Sequence, residues 1–189
     1  GEDVLELEIT PNRPDCLGVY GVAREVHAIT GNDLVPLAIG PPPSGDETFP
    51  IEVENHELCP RFTARIYRGV KVGPSPLWLK QRLSAAGQRP INNVVDITNY
   101  LMLLTGQPMH AVDLDKIRGG KLIVRNAAAG EKVTTLDDVE RECDEQTVLV
   151  CDGEGPSAIA GIMGGAVSEV SAETTIVLAL TRSRRPSLS

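Results

Sequence analysis

Residues 88–115 read QRPINNVVDITNYLMLLTGQPMHAVDLD, a pattern that predicts an apolar helix with one polar side, closed by a glycine. Asn93 is placed to cap its start, with Asp96 three residues on as a short relative of a capping box. Val94, Val95, Ile97, Leu101, Met102 and Leu104 supply apolar surface, and Gly106 suits a left-handed C-terminal cap. Asn92, Asp96 and Asn99 recur at i, i+4 and i+7, so they share one side of the helix. Thr98 lies on the flank, and His110 follows a Gly-Gln-Pro turn. Amides, a carboxylate and an imidazole beside an apolar wall are the makings of a small polar pocket. The same groups serve equally well as helix caps and loop partners, so the pattern marks a candidate site and not yet a chemistry.

Outward from this helix the chain alternates short elements. Upstream, Ser75 and Pro76 open a short helix with Leu79, Leu83 and Ala86 inward and Gly87 at its end. Before it, Ile51–Glu54 and Phe62–Val72 read as strands, with Phe62, Ala64, Ile66 and Arg68 alternating against Thr63, Arg65 and Tyr67. Downstream, strands are expected at Leu122–Arg125, Lys132–Leu136, Thr147–Cys151, Ala158–Met163 and Thr175–Leu180. At the start, residues 3–9 (DVLELEI) alternate as a strand stopped by Thr10-Pro11-Asn12-Arg13-Pro14. A helix then runs from Asp15 to Ile29, closed by Thr30-Gly31, with Leu17, Tyr20, Ala23 and Val26 or Ala28 inward. Helices followed by many short strands predict an α+β fold, with mixed or antiparallel sheets packed with two or three helices. The expected organisation is a strand–helix segment at 1–35, a Pro/Gly-rich linker at 36–48, an α+β domain at 49–180 and a disordered tail at 181–189.

Composition narrows the function. The 189 residues carry a formal charge of −8 and only 3% aromatics, so the core rests on Val, Leu, Ile and Ala. Residues 1–180 hold 15 basic against 26 acidic side chains, a field that does not attract nucleic acid. An RNA contact would need a local basic patch or a neighbouring domain. Cys16, Cys59, Cys143 and Cys151 are scattered without zinc spacing and read as reduced thiols of a cytosolic protein. No signal peptide, polybasic anchor or membrane-length apolar run is present, which excludes a membrane partner on this reading.

Ser157–Ala166, SAIAGIMGGA, is the second unusual segment. Gly161, Gly164 and Gly165 leave backbone unshielded, as a bulge and tight turn need, or as a ligand facing main-chain N–H groups needs. Neither the P-loop nor the dinucleotide glycine spacing is matched.

Together these segments resemble the B3/B4 region of bacterial phenylalanyl-tRNA synthetase β subunits. The likeness is carried by Glu8 to Leu17 (EITPNRPDCL), Gly21 to Val26, Arg89 to Tyr100, Gly106 to Ala111 and Ala160 to Gly165. It implies an editing pocket that hydrolyses tyrosine wrongly attached to phenylalanine tRNA, while aminoacylation resides in the α subunit. Such a second sieve is useful because a pocket fitted to a phenyl ring rejects an added hydroxyl only incompletely. Under the resemblance, Arg89, Thr98, Asn99 and His110 match pocket positions, with Asn99 and His110 orienting the aminoacyl ester through water. Ala160, Gly161 and Gly164 match a small-residue wall. No cofactor or metal is implied for this region, with ATP and Mg2+ expected only for the full synthetase. The partners implied are the misacylated 3′ end of the tRNA and, through the rest of the β subunit, the α subunit of a cytoplasmic heterotetramer. The chain departs from the family at Leu180, where a glutamate receives the tyrosine hydroxyl, and at Ala166, where an acid is usual. A catalytically silent module of the synthetase and a free-standing aminoacyl-tRNA deacylase are the alternatives.

Overall fold

The computed structural model describes residues 3–38, 40–41, 44–135, 137–160, 163–165 and 168–183. Two compact units form, one from residues 1–45 and 74–109, the other from 46–73 and 110–189.

The first unit is helical. A short 3-10 turn at Pro14–Leu17 leads into α1 (Val19–Thr30), followed after the excursion through the second unit by α2 (Leu77–Ala85) and α3 (Asn93–Thr105). The cap of α3 is Asn92, one residue earlier than expected. Its backbone is extended, and its side-chain oxygen accepts from the N–H groups of Val94 (3.1 Å) and Val95 (3.0 Å). Asp96, fully buried, reaches back across the cap to accept from the Ile91 N–H at 2.8 Å, and the Ser75 hydroxyl donates to its other oxygen. At the far end Gly106 takes the left-handed conformation (φ 72°), and its N–H bonds the Met102 carbonyl. Leu79 and Leu83, one turn apart on α2, are the buried side chains of that helix.

α1 departs from its expected packing. Leu17 and Val26 are 66% and 49% exposed, while Tyr20 and Ala23 are half-buried. The helix approaches its neighbours through glycine: a Cβ on Gly18 would stand 2.5 Å from the Gly106 nitrogen, and one on Gly21 would overlap the Asp15 carbonyl. Residues 3–9 do not form the expected strand. Among the described residues they have no ladder partner, and Val4, Leu5 and Leu7 are exposed, because alternation alone cannot satisfy a strand's backbone.

The second unit carries the strands: β1 (Ile51–Val53), β2 (Arg61–Arg68), β3 (Met109–Asp113), β4 (Leu122–Asn126), β5 (Glu131–Thr134), β6 (Glu140–Cys143), β7 (Val148–Cys151), β8 (Pro156–Ile159), β9 (Met163–Gly164) and β10 (Ile176–Ser183). They form a five-stranded sheet in the order β1-β4-β7-β8-β9, a three-stranded sheet β2-β10-β3 and the hairpin β5-β6. The β1–β4 pair is parallel, and β4–β7, β7–β8, β8–β9, β2–β10 and β5–β6 are antiparallel. Three helices with mixed and antiparallel sheets make the α+β fold expected from the sequence.

Particular boundaries moved. β2 stops at Arg68, before the left-handed Gly69 (φ 67°), and does not run to Val72. β3 and β6 were not anticipated. The expected tail begins as strand: Thr181, Arg182 and Ser183 pair with Thr63, Phe62 and Arg61, because β2 extends far enough to offer them backbone partners. Residues 184–189 lie outside the described residues, as do the expected positions Leu136, Gly161 and Ala166.

The main core gathers Cys59, Val112, Leu122, Val124, Val150, Leu178 and Leu180 with their neighbours, and Phe62, Ala64, Ala158 and Ala160 pack against it. A second cluster lies under the hairpin around Val133, Cys143, Leu149 and Ile159. All four cysteines are buried free thiols. Among the described residues, no helix is long and apolar enough to cross a membrane.

Candidate functional site

The expected site residues fall in both units. Arg89, Thr98 and Asn99 belong to the first. His110, Ala160 and Gly164 belong to the second.

On α3, Thr98 is buried and its hydroxyl donates to the Val95 carbonyl at 2.8 Å. Asn99, half-buried, makes no side-chain hydrogen bond to a described residue, so its amide retains both donor and acceptor capacity. Of the three groups spaced along the polar side of this helix, Asn92 is consumed by the cap and Asp96 by Ser75 and Ile91. Asn99 is what remains. Arg89 is exposed in the link between α2 and α3.

In the second unit His110 lies on β3, the strand that follows the Gly-Gln-Pro segment. Alternation along the strand places it on the same face as Val112, a member of the main core. Burial pushes the imidazole pKa below its ordinary value, which keeps the ring neutral at pH 7. Ala160 packs against that same core, and Leu180 is part of it at 5% exposure. Ala160 and Leu180, distant in sequence, thus adjoin one apolar cluster, and β3 carries His110 two residues from its member Val112. Gly164 pairs with Ala158 at the sheet's end. The neighbouring Gly165 bridges to Thr135, and a Cβ there would overlap the Ser157 carbonyl. At Gly165, then, it is the chain's own β8 that approaches the bare backbone. Gly161 lies outside the described residues.

One cluster has the donor atoms a cation needs. Asp15, Cys16 and Glu25 bring ligand atoms within 4.8 Å of one another. Arg13 is already there: it bonds Asp15 through two nitrogens and ion-pairs with Glu25. Its hydrogen bond holds the Asp15 carboxyl down at about 2. The guanidinium supplies the positive charge, and the cluster ties the 3-10 turn to α1.

A further grouping was not singled out from the sequence. Trp78 and Arg82 on α2 meet Tyr100 on α3, with the rings edge to face at 5.6 Å between centroids. The Arg82 guanidinium lies 5.5 Å from the Trp78 ring and 5.9 Å from the Tyr100 ring, and donates to the Tyr100 hydroxyl at 2.8 Å. The i, i+4 spacing of Trp78 and Arg82 was the available signal.

With this geometry established, similarity to known proteins is decisive at the level of family. A model of the B3/4 domain matches residues 58–186. The chain belongs to the B3/4 domain family. This B3/4 domain is 56% identical over 176 residues to the phenylalanine–tRNA ligase β subunit of Carboxydothermus hydrogenoformans, covering 92% of this chain and 22% of that protein. It is 52% identical over 180 residues to the β subunit of Moorella thermoacetica, covering 93% of this chain and 22% of that one. The chain thus spans about a fifth of the length of these relatives. The fold is shared with an N-terminal fragment of the phenylalanyl-tRNA synthetase β subunit from Pyrococcus horikoshii, with a TM-score of 0.58 at 19% identity, over 90% of this chain and 52% of that one. The resemblance read from the motifs is borne out.

Proposed function

We propose that this B3/4 domain works within a phenylalanine–tRNA ligase β subunit, beside a synthetase α subunit in the cytoplasm, and hydrolyses tyrosine wrongly joined to phenylalanine tRNA. The observation that supports this reading most is that β3 carries His110 two residues from Val112, a member of the apolar cluster that also holds Leu180 and packs Ala160. A neutral, partly buried imidazole accepts a hydrogen bond from water and orients it toward an ester carbonyl. Water adds to that carbonyl and the terminal ribose oxygen leaves with a proton, releasing tyrosine and intact tRNA. An aminoacyl ester is labile, so positioning and a few hydrogen bonds are enough, without a metal or cofactor step. The family resemblance assigns Thr98, Asn99 and Arg89 to the same reaction. Of these, Asn99 has the amide available for the ester or its ammonium group.

Leu180 offers the tyrosine hydroxyl no acceptor, so selection falls to backbone groups along Ala160 and Gly164. The same residue favours a second reading. A side chain that fills the cluster at 5% exposure suits a catalytically silent module that serves the assembly of the synthetase.

Deacylation of tyrosyl-tRNA against phenylalanyl-tRNA, both on phenylalanine tRNA, decides between the two. Tyrosine-selective hydrolysis that falls about a hundredfold in His110→Ala supports the editing reading. Hydrolysis no faster than buffer from folded protein supports the silent module.

A further inference from the structure

The α2–α3 pair carries an aromatic and cationic surface that the hydrolytic reading leaves unused. Residues 74–109, the part of the chain that carries α2 and α3, hold three Lys and Arg (Lys80, Arg82 and Arg89) against one acid, Asp96, whereas the rest of the chain holds fifteen against twenty-five. Asp96 is fully buried and bonded to Ser75 and Ile91, so α2, α3 and their link present no carboxylate to solvent. An acidic chain therefore contains one helical surface of the opposite sign.

Trp78, Arg82 and Tyr100 lie on that surface. Trp78 is 50% exposed, an unusual state for the largest apolar side chain in a protein with few aromatics. Arg13, Arg68, Arg118, Arg125 and Arg141 each form an ion pair; Arg82 forms none among the described residues. Its contacts are the two rings and the Tyr100 hydroxyl, which takes one of five guanidinium donors. A guanidinium held beside a half-exposed indole is an arrangement that takes a stacked base and its phosphate.

We propose that Trp78, Arg82 and Tyr100 hold a single-stranded RNA end, one base stacking on Trp78 and a neighbouring phosphate taken by Arg82. This rests on the reading that an aminoacylated tRNA is the substrate, because the ester of such a molecule lies at the end of unpaired nucleotides. Tyr100 directly follows Asn99 on α3, so a strand held on the three residues runs beside the helix that carries the Asn99 amide. A protein partner could also cover a half-exposed tryptophan. The cations Arg82 and Arg89, with no exposed acid nearby on α2 or α3, favour the polyanion.

Trp78 is the one tryptophan in the chain, so its fluorescence reports the contact directly. The 189-residue chain is titrated with a short single-stranded RNA carrying the uncharged 3′ sequence of phenylalanine tRNA, and with a duplex of the same length. Saturable quenching by the single strand, weaker for the duplex and fading with salt, is expected. Arg82→Gln is expected to raise the dissociation constant about tenfold, and Trp78→Ala, followed by filter binding, by as much; Trp78→Phe retains more affinity because a ring remains. Absence of quenching, or an unchanged constant in Arg82→Gln, overturns the proposal. So does a Trp78 that is shielded from acrylamide by the rest of a full-length β subunit, which assigns the surface to protein. Uncharged RNA has no ester, so the two readings fail separately. Quenching without deacylation removes the editing reading and leaves the RNA surface. Deacylation without quenching does the reverse.

Discussion

Leu180 on β10 stands in register with Ala64 on β2, and both side chains belong to one apolar cluster. A leucine at 5% exposure there is a packing residue. Leu180→Ala is expected to cost about 2–5 kcal/mol in urea unfolding, as buried leucine truncations do. Leu180→Glu is expected to cost more at pH 8 than at pH 5, since a carboxyl in that setting titrates high and is tolerated only when neutral.

Asp96 is held from two directions, by the Ser75 hydroxyl and the Ile91 N–H. Ser75→Ala removes one donor from a buried acceptor and is expected to cost about 1–3 kcal/mol. Asp96→Ala frees both partners at once and is expected to cost more, with the loss of α3 helicity visible in hydrogen exchange at residues 91–95.

The α3 cap gives a smaller, sharper test. Asn92→Ala is expected to lower stability by about 1 kcal/mol, and Asn92→Ser to retain most of it, because serine still accepts from the second and third helical N–H groups. Thermal unfolding of the two variants side by side measures the difference.

Glu131 sets part of the acid limb. Two parallel hydrogen bonds from Arg125, at 2.7 and 2.8 Å, with a third from the Ala128 N–H, hold its carboxyl down at about 2 against an ordinary 4.5. A depressed carboxyl contributes stability that is present above pH 4.5 and lost as pH falls toward 2. Glu131→Gln is expected to flatten the pH dependence of unfolding in that window and leave its shape near neutrality unchanged.

His110 shapes the neutral range. Burial lowers its pKa below the ordinary 6.5, so the imidazole is neutral at pH 7 and its neutrality persists as pH falls past 6.5. Deacylation that uses the neutral ring is expected to hold level from pH 8 to pH 6.5 and decline only below. The same depressed value means that stability is lost as pH falls from 6.5 through the folded value, and His110→Asn is expected to remove that slope.

The helices were largely legible because their signals are local. The apolar spacing of Val94 to Leu104 and the glycine at 106 placed α3 within a residue of its bounds, and Ser75-Pro76 and Gly87 bracketed α2. The strand at 3–9 failed where the signal was no less regular, because alternation describes a face and not a partner. β3 was hidden by the Gln-Pro turn before it, and its pairing with β10 joins segments far apart in the chain.

For the candidate site, residue types alone singled out Asn92, Asp96, Thr98, Asn99 and His110 together. Packing separated them: Asn92, Asp96 and Thr98 spend their polar atoms inside the fold, and Asn99 does not. The acid-free run from 74 to 95, with Lys80, Arg82 and Arg89, was present in the sequence, but its meaning depended on Asp96 being buried.

The order of amino acids thus determined the caps, the glycine stops, the α+β class and the family, each set by neighbours a few residues apart or by ordered motifs. Only the tertiary structure decided that Leu180 fills a core, that His110 lies on a strand two residues from the core member Val112, and that Arg82 lies by two rings without an acid partner among the described residues. Those outcomes depend on which distant segments close on one another, and burial, not local spacing, determines what a side chain is left free to do.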